Sequence, residues 1–307
     1  MFKVFIDGSA GTTGLRIREM LGKRTDISLI SLPEQLRKDV SARKEAINAS
    51  DVTFLCLPDD AAREAVLLVE NPETVVIDAS TTHRTAAGWA YGFPELSAAH
   101  RAAIAQGKRI ANPGCYASGF IALVYPLVKA GLVSPDYPFV CHAVSGYSGA
   151  GKKGIAEYEA ENRPPLYDTP RLYALSLSHK HLPEMKAVCG LSRTPVFNPY
   201  VCDYYCGITV NVPLFADLLV KKIAAADIRA LLAEHYAESA FLSVGEEESG
   251  YISANTLNET NRMEILVNGN DERILLTARF DNLGKGASGA AIQNMNIALG
   301  LDERISL

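Results

Sequence analysis

Short apolar runs alternate with helically spaced apolar positions along the first third of the chain. Four of these runs predict strands, at Lys3–Asp7, Ile27–Ser31, Asp51–Leu57 and Thr74–Asp78. Helical patterns lie between them, as at Ala61–Val69. Strands that alternate with helices are typical of a parallel, doubly wound sheet, so the pattern predicts an α/β fold.

The loop after the first predicted strand is rich in glycine and leads into a helical pattern. Its spacing, G-x-x-G-x-x-G, is a variant of the dinucleotide fingerprint, in which a helix N-terminus and bare backbone receive a pyrophosphate. The alternative is an ordinary strand-to-helix turn without a ligand. The predicted cofactor contacts in this loop are Gly8, Ser9, Gly11, Thr12, Thr13 and Gly14.

The end of the second predicted strand bears on the choice of cofactor. An NAD site usually places a carboxylate there, whereas this strand ends in Ser31, with Arg37 and Lys38 a few residues on. A serine beside basic residues favours the 2′-phosphate of NADP, although Glu34 lies in the same segment. Pro58 and Ser80, in loops after later strands, are further candidate cofactor contacts because ligands bind at the carboxyl ends of such strands. The alternative is that both are ordinary loop residues.

The segment RIANPGCYASG indicates a tight turn followed by a helix. Asn112-Pro-Gly114 precedes Cys115, and apolar residues then recur at helical spacing. A thiol at a helix N-terminus has its thiolate stabilised by the helix dipole and unpaired N–H groups, which also stabilise an adjacent oxyanion. We therefore interpret Cys115 as a candidate nucleophile. The alternative is a buried cysteine that starts a core helix.

Two histidines and a carboxylate lie close together in LSHKHLPE. If the segment is extended, His179 and His181 face the same side, and Glu184 is a candidate to orient one ring. The alternatives are surface histidines or a metal site, for which no third ligand is evident. Between this box and Cys115, glycines 146, 149 and 151 leave N–H groups accessible, as in an anion nest. Lys152 and Lys153 beside them either add charge for a phosphate or are solvated surface residues.

The rest of the chain predicts further strands and helices. Strands are expected at Tyr205–Val212 and Arg273–Phe280, an amphipathic helix at Leu218–Ala240, and a last helix at about 285–301.

Composition narrows the class of protein. The chain has 307 residues and a net charge of −5 without a basic block, which argues against nucleic-acid binding. No apolar run approaches the roughly 20 residues of a membrane span, and the N-terminus does not resemble a signal peptide. Six cysteines without Cys-x-x-Cys spacing favour reduced thiols in the cytoplasm over disulfides or zinc. We expect a cytoplasmic protein without a metal.

The motifs NPGCYASG, SGYSGAGKK, SHKHLPEM and DNLGKGASGAAIQNMN together resemble the N-acetyl-gamma-glutamyl-phosphate reductases of arginine biosynthesis, in their compact type 2 form. These are semialdehyde dehydrogenases. The resemblance implies a Rossmann-type NADP-binding domain, residues 1–114 plus 285–307, interrupted by an α+β catalytic and oligomerisation domain, residues 115–284. It also implies a homodimer or homotetramer.

The resemblance further implies the roles of individual residues. Cys115 is the nucleophile that forms a thioester and then a thiohemiacetal, and His179 or His181 is the acid/base, beside Glu184. Gly149 and Asn282 are assigned to the cofactor, NADP(H), and Asn112, Ser148 and Lys152 to the acyl phosphate substrate. Many relatives of the longer type carry arginine where Lys152 stands, and a lysine lacks its bidentate geometry.

Four other functions remain open from the sequence. Aspartate-semialdehyde dehydrogenase shares the chemistry, and a carrier-linked acyl-phosphate reductase shares the core motifs. A catalytically silent NADP-binding regulator would not need to keep Cys115 and both histidines. A metal-dependent hydrolase would need more ligands than the pattern offers.

Overall fold

A computed structural model describes residues 1–307, and the contacts within the chain divide it into two units. The first unit comprises Met1–Gly114 and Ala287–Leu307, and the second comprises Cys115–Gly286. The chain therefore leaves the first unit immediately before Cys115 and returns to it for the C-terminal helix.

The first unit is built on a six-stranded parallel sheet in the order β2-β1-β3-β4-β6-β5. Its strands are β1 (Phe2–Asp7), β2 (Ile27–Ile30), β3 (Val52–Leu55), β4 (Val75–Asp78), β5 (Ala90–Tyr91) and β6 (Arg109–Ala111). Every residue of β3 and β4 is buried, as expected for central parallel strands covered on both faces.

Five helices belong to this unit: α1 (Thr12–Leu21), α2 (Val40–Asn48), α3 (Asp59–Leu67), α4 (Ala98–Gln106) and α9 (Gly289–Ala298). Ile292 and Met295 of α9 share one apolar core with Val4 and Ile77 of the sheet. The C-terminal helix thus completes the core of the first unit.

The second unit is built on a seven-stranded mixed sheet in the order β11-β12-β13-β10-β7-β9-β8. Its strands are β7 (Val140–Gly146), β8 (Arg171–Leu172), β9 (Val196–Cys202), β10 (Ile208–Phe215), β11 (Leu242–Val244), β12 (Met263–Gly269) and β13 (Arg273–Phe280). Along β7, Cys141 and Ala143 are buried whereas His142 is exposed, so the two faces of the sheet differ.

The second unit also has four helices. They are α5 (Cys115–Lys129), α6 (Gly151–Tyr158), α7 (Leu182–Cys189) and α8 (Ala225–His235). The apolar helix α5 contacts β10 and β13, and α8 contacts β12. No helix of the structure is both long and apolar enough to span a bilayer.

Some elements differ from their predicted bounds. The helix expected at Leu218–Ala240 begins only at Ala225, because Asp227 accepts the N–H of Ala224 and fixes the N-terminus there. The strand expected at Tyr205–Val212 lies at Ile208–Phe215. The last helix starts as a π-helical segment, Gly284–Ser288, before α9.

Candidate functional site

The glycine loop of the first unit lies directly on the end of β3. Gly8 has a φ of +87°, and a Cβ there would stand 2.2 Å from the carbonyl oxygen of Cys56. A Cβ at Gly14 would stand 2.6 Å from the carbonyl oxygen of Gly8. Only glycine fits at both positions, which leaves a bare backbone at the start of α1 suited to a pyrophosphate.

A cleft of about 700 Å³ opens beside this loop. Of the predicted cofactor contacts, Gly8, Ser9, Ser31 and Arg37 line it, while Gly11, Thr12, Thr13 and Gly14 form the rest of the loop and the start of α1. Three further basic residues line the cleft: Arg18, Lys38 and Arg43. Lys38 is next to Arg37 in sequence, but nothing in the spacing singled out Arg18 or Arg43.

The charge of the cleft fits an anionic cofactor. Arg43 forms a buried ion pair with Asp7 at the end of β1, with Nη2 and Oδ2 2.8 Å apart. Burial raises the pKa of Asp7, and the hydrogen bond from Arg43 opposes that shift. Because the charges of Arg43 and Asp7 cancel, the other charged residues that line the cleft are one anion, Glu34, and three cations. The cations are Arg18, Arg37 and Lys38.

Pro58 and Ser80 lie at strand ends but are not among the residues lining the cleft. Pro58 immediately precedes α3. The hydroxyl of Ser80 donates to Oδ2 of Asp78 at 2.6 Å, and Nδ1 of His83 lies 2.6 Å from the same oxygen. The ring of His83 stacks on Trp89. The cofactor roles of Pro58 and Ser80 stay predictions.

In the second unit, Cys115 is the first residue of α5. This placement at the helix start is the one that the sequence predicted. The π-helical segment lies against it, since a Cβ at Gly286 would stand 2.9 Å from the Cβ of Cys115. The thiol is therefore held between the first turn of α5 and the backbone at Gly286.

The two histidines lie beside Tyr116, the residue that follows Cys115 in α5. Its ring lies 5.8 Å from that of His179 and 5.7 Å from that of His181, and the two imidazoles are 4.7 Å apart. The hydroxyl of Tyr173 donates to that of Tyr116 at 2.9 Å. Burial raises the pKa of Tyr173, the hydrogen bond with Tyr116 opposes that shift, and the nearby Cys115 adds a smaller increase. These residues form a cluster beside the candidate nucleophile.

The segment that carries the histidines is not the extended chain that the sequence suggested. His181 has helical dihedral angles and precedes α7. Its backbone N–H consequently donates to Nδ1 of His179 at 3.2 Å. A ring nitrogen that accepts a hydrogen bond carries no proton, so neutral His179 has its proton on Nε2.

The other predicted site residues are distributed as follows. Glu184 is buried in the first turn of α7, whereas Lys152 is exposed on α6. Nδ2 of Asn282 donates to the buried hydroxyl of Ser148 at 2.9 Å, and Oδ1 of Asn282 accepts from the N–H of Gly207 at 2.8 Å. Gly149 lies beside the same amide.

The remaining substrate candidate, Asn112, is buried in the first unit. The structure contains no group of three metal-ligating side chains.

Comparison with known proteins identifies related domains in both units. A model of the semialdehyde dehydrogenase dimerisation domain matches residues 115–282, and a model of the semialdehyde dehydrogenase NAD binding domain matches residues 32–104. Among solved structures, aspartate semialdehyde dehydrogenase II of Vibrio cholerae superposes with a TM-score of 0.74 at 17% identity, covering 98% of this chain and 99% of that one. At this identity the likeness concerns the fold, and it confirms the predicted fold class.

Relatives of higher identity cover nearly the whole chain. It is 48% identical over 306 residues to N-acetyl-gamma-glutamyl-phosphate reductase 2 of Pseudomonas putida, covering 97% of this chain and 96% of that protein. It is also 48% identical over 307 residues to N-acetyl-gamma-glutamyl-phosphate reductase of a Chelativorans species, covering 97% and 98%. These identities confirm the resemblance seen in the motifs. The chain belongs to the N-acetyl-gamma-glutamyl-phosphate reductases, within the semialdehyde dehydrogenase family.

Proposed function

We propose that this chain reduces N-acetyl-gamma-glutamyl phosphate to N-acetylglutamate 5-semialdehyde and phosphate, a step of arginine biosynthesis, with NADPH as the reductant. The observation that carries the proposal is Cys115 at the first position of α5, beside a cluster of two histidines, in a chain 48% identical to named reductases. In this reading the first unit is the cofactor domain and the second is the catalytic domain.

The first chemical step is attack by the Cys115 thiolate on the acyl carbon of the substrate. The carbon–sulfur bond forms, phosphate leaves, and the product is a thioester on the enzyme. Backbone N–H groups in the first turn of α5 have no acceptor within the helix. They stabilise both the thiolate and the oxyanion that develops on the acyl oxygen.

NADPH supplies a hydride when it is bound. The glycine loop and the three cations of the cleft would hold its phosphates, and Ser31 and Arg37 would contact the 2′-phosphate. Hydride addition to the thioester carbon converts it to a thiohemiacetal oxyanion on Cys115. Collapse of this adduct releases the aldehyde and returns the sulfur as a leaving thiolate.

We assign the proton transfer to His181. Nδ1 of His179 accepts the N–H of His181, so protonation of that nitrogen would cost a hydrogen bond. The ring of His181 is buried beside Tyr116 and lies 4.7 Å from that of His179. It takes a proton from the Cys115 thiol before attack and returns a proton as the thiolate leaves. His179 then serves to position the ring of His181.

Two copies of the chain are proposed to associate through the sheet face opposite α5, which itself packs on the side of Val210. A polar row crosses this face, in which Asn211 donates to the carbonyl of His142 and accepts from the hydroxyl of Thr277. Val196 is 43% exposed on the same face. The dimerisation-domain match over residues 115–282 indicates a second copy as the occupant.

The cytoplasm is the proposed compartment, because none of the six cysteines is in a disulfide.

The activity is tested by NADP-dependent oxidation of N-acetylglutamate semialdehyde in the presence of phosphate, with aspartate semialdehyde in parallel. We expect the wild-type chain to turn over the acetylated substrate and Cys115→Ala to lose this activity. Cys189→Ala is the control and should keep the activity, because it removes a buried thiol on a different helix, α7. Preference for aspartate semialdehyde would move the chain to the sister activity. Full activity of Cys115→Ala would overturn the mechanism.

A further inference from the structure

The backbone N–H, the backbone carbonyl and both side-chain amide atoms of Asn112 form hydrogen bonds within the first unit. Its N–H donates to the carbonyl of Asp78 at 2.8 Å, and its carbonyl accepts from Nε of Arg84 at 3.0 Å. Its Nδ2 donates to the carbonyl of Ala287 at 2.9 Å, and its Oδ1 accepts from Nδ2 of Asn294 at 3.1 Å. The resemblance assigned Asn112 to the substrate, but these bonds favour a residue that holds the backbone.

Asn294, on the C-terminal helix α9, is itself fixed in position. Its Nδ2 also donates to the carbonyl of Gly92 at 2.9 Å, and a Cβ at Gly92 would stand 2.4 Å from that nitrogen. Asn294 is completely buried. The amide thus ties the C-terminal helix to the end of β6 through Asn112.

Few soft torsions separate Asn112 from the reactive cysteine. Pro113 has a fixed φ and restricts the residue before it, so only Gly114 is unconstrained between Asn112 and Cys115. The same side chain of Asn112 bonds to Ala287, the residue after Gly286, and Gly286 abuts Cys115. Asn112 therefore fixes both backbone segments that border the thiol.

We propose that Asn112 and Asn294 form a positioning pair that sets the direction in which Cys115 enters α5. The pair touches neither substrate nor cofactor and acts through the backbone. The inference rests on the proposed role of Cys115 as the nucleophile. Its consequence is that a polar contact from the last helix of the chain controls the geometry of a thiol far away in sequence.

The test compares two buried asparagines of one helix. Asn294→Ala removes the bonds to Asn112 and Gly92. Asn296→Ala removes a comparable set, since Oδ1 of Asn296 accepts from Arg24 at 2.6 Å and its Nδ2 donates to the carbonyl of Ile305 at 2.9 Å. Thermal midpoints, kcat, and the pH dependence of iodoacetamide alkylation at Cys115 are measured for both.

We expect the two variants to have similar thermal midpoints but to differ in kcat and in the pH dependence of alkylation at Cys115. Asn294→Ala lowers kcat by on the order of 10- to 100-fold, because small misplacements of a reacting group have effects of that size. It also moves the alkylation profile to higher pH, since the sulfur loses its alignment with the helix N-terminus. Asn296→Ala keeps the wild-type profile and a kcat within about 2-fold.

Asn294→Asp keeps the shape of the side chain and replaces the donor by an oxygen, so it is expected to reproduce the defect even if the alanine variant does not fold. Equal loss of kcat in Asn294→Ala and Asn296→Ala would overturn the proposal, as would a change in the KM for NADPH alone. The alkylation profile needs no substrate. It therefore reports on the positioning pair even if the proposed reaction were wrong.

Discussion

Gly286 gives Cys115 the space in which its side chain lies. An added Cβ would stand 2.9 Å from the Cβ of Cys115, closer than such atoms approach. Gly286→Ala is therefore expected to displace the thiol and to lower kcat by about 100-fold. Gly300→Ala is the control, because it meets nothing within 4 Å and strains only a positive φ of 69°.

Steady-state kinetics and thermal unfolding on both glycine variants check this. Gly300→Ala should lose stability of about 1–3 kcal/mol while kcat stays unchanged. Wild-type kcat in a folded Gly286→Ala variant would contradict the close packing.

At the residue scale, the sequence predicted the local structure around Cys115, because the signals there lie in neighbouring residues. The turn Asn112-Pro-Gly114 and the helical spacing after it placed Cys115 correctly at a helix start. The contact between Cys115 and Gly286 could not be predicted from the sequence, because it depends on the path of the chain 171 residues later. The tautomer of His179 depends on the helical dihedral angles of His181, which the expectation of an extended segment had missed.

The ion pair between Asp7 and Arg43 ties β1 to α2 in the lining of the cleft beside the glycine loop. Both side chains are buried, so Arg43→Ala would leave a buried carboxylate without its cation. We expect the free energy of unfolding to fall by about 3–5 kcal/mol. The neighbouring pair of Lys44 and Glu70 is solvent-exposed, and Lys44→Ala should cost about 0–1 kcal/mol.

Urea unfolding of the two variants measures the difference, and Asp7→Asn combined with Arg43→Leu is the companion experiment. Removing both charges should recover much of the loss, because no unpaired ion remains. If Arg43→Ala alone had the same free energy of unfolding as Lys44→Ala, water would have to reach the carboxylate of Asp7.

At the element scale, the central strands were predicted because they are continuous apolar runs, as β3 and β4 show. The helix at Leu218–Ala240 was predicted too long because its apolar spacing continues back through Leu218, whereas Asp227 stops the helix at Ala225. The two-residue strand β8 gives no periodicity to detect. Periodicity thus identifies long elements, and capping contacts set their ends.

At the scale of the whole molecule, the proposed dimer predicts a change of mass. Val196→Arg places a charge on the sheet face opposite α5, where a second copy would have to bury it, so we expect monomers by sedimentation equilibrium. Leu67→Arg is the control, since Leu67 is 82% exposed on α3 of the other unit. Dimers of unchanged affinity in Val196→Arg would place the interface elsewhere.

The buried thiols of Cys141 and Cys189 and the half-buried thiol of Cys56 make the fold sensitive to alkali. Burial, with the charges of Asp78 and Asp7, raises the pKa of Cys56 from 9.0 to about 12, and burial raises the pKa of Cys141 and Cys189 still further. These groups stay protonated in the folded chain, whereas in the unfolded chain they ionise as the pH passes 9. Their contribution to stability is therefore complete below pH 9 and is lost as the pH rises toward 12.

Each thiol that ionises only on unfolding lowers the free energy of unfolding by about 1.4 kcal/mol per pH unit. Three such thiols predict a steep fall between pH 9 and 10, before most buried tyrosines contribute, which urea unfolding at closely spaced pH values will measure. Cys141→Ala should reduce the pH dependence of the free energy of unfolding by the contribution of one proton. This holds whatever the substitution does to stability at pH 7, because the slope depends on the number of ionising groups and not on packing. A slope unchanged by that substitution would mean that Cys141 ionises in the folded protein.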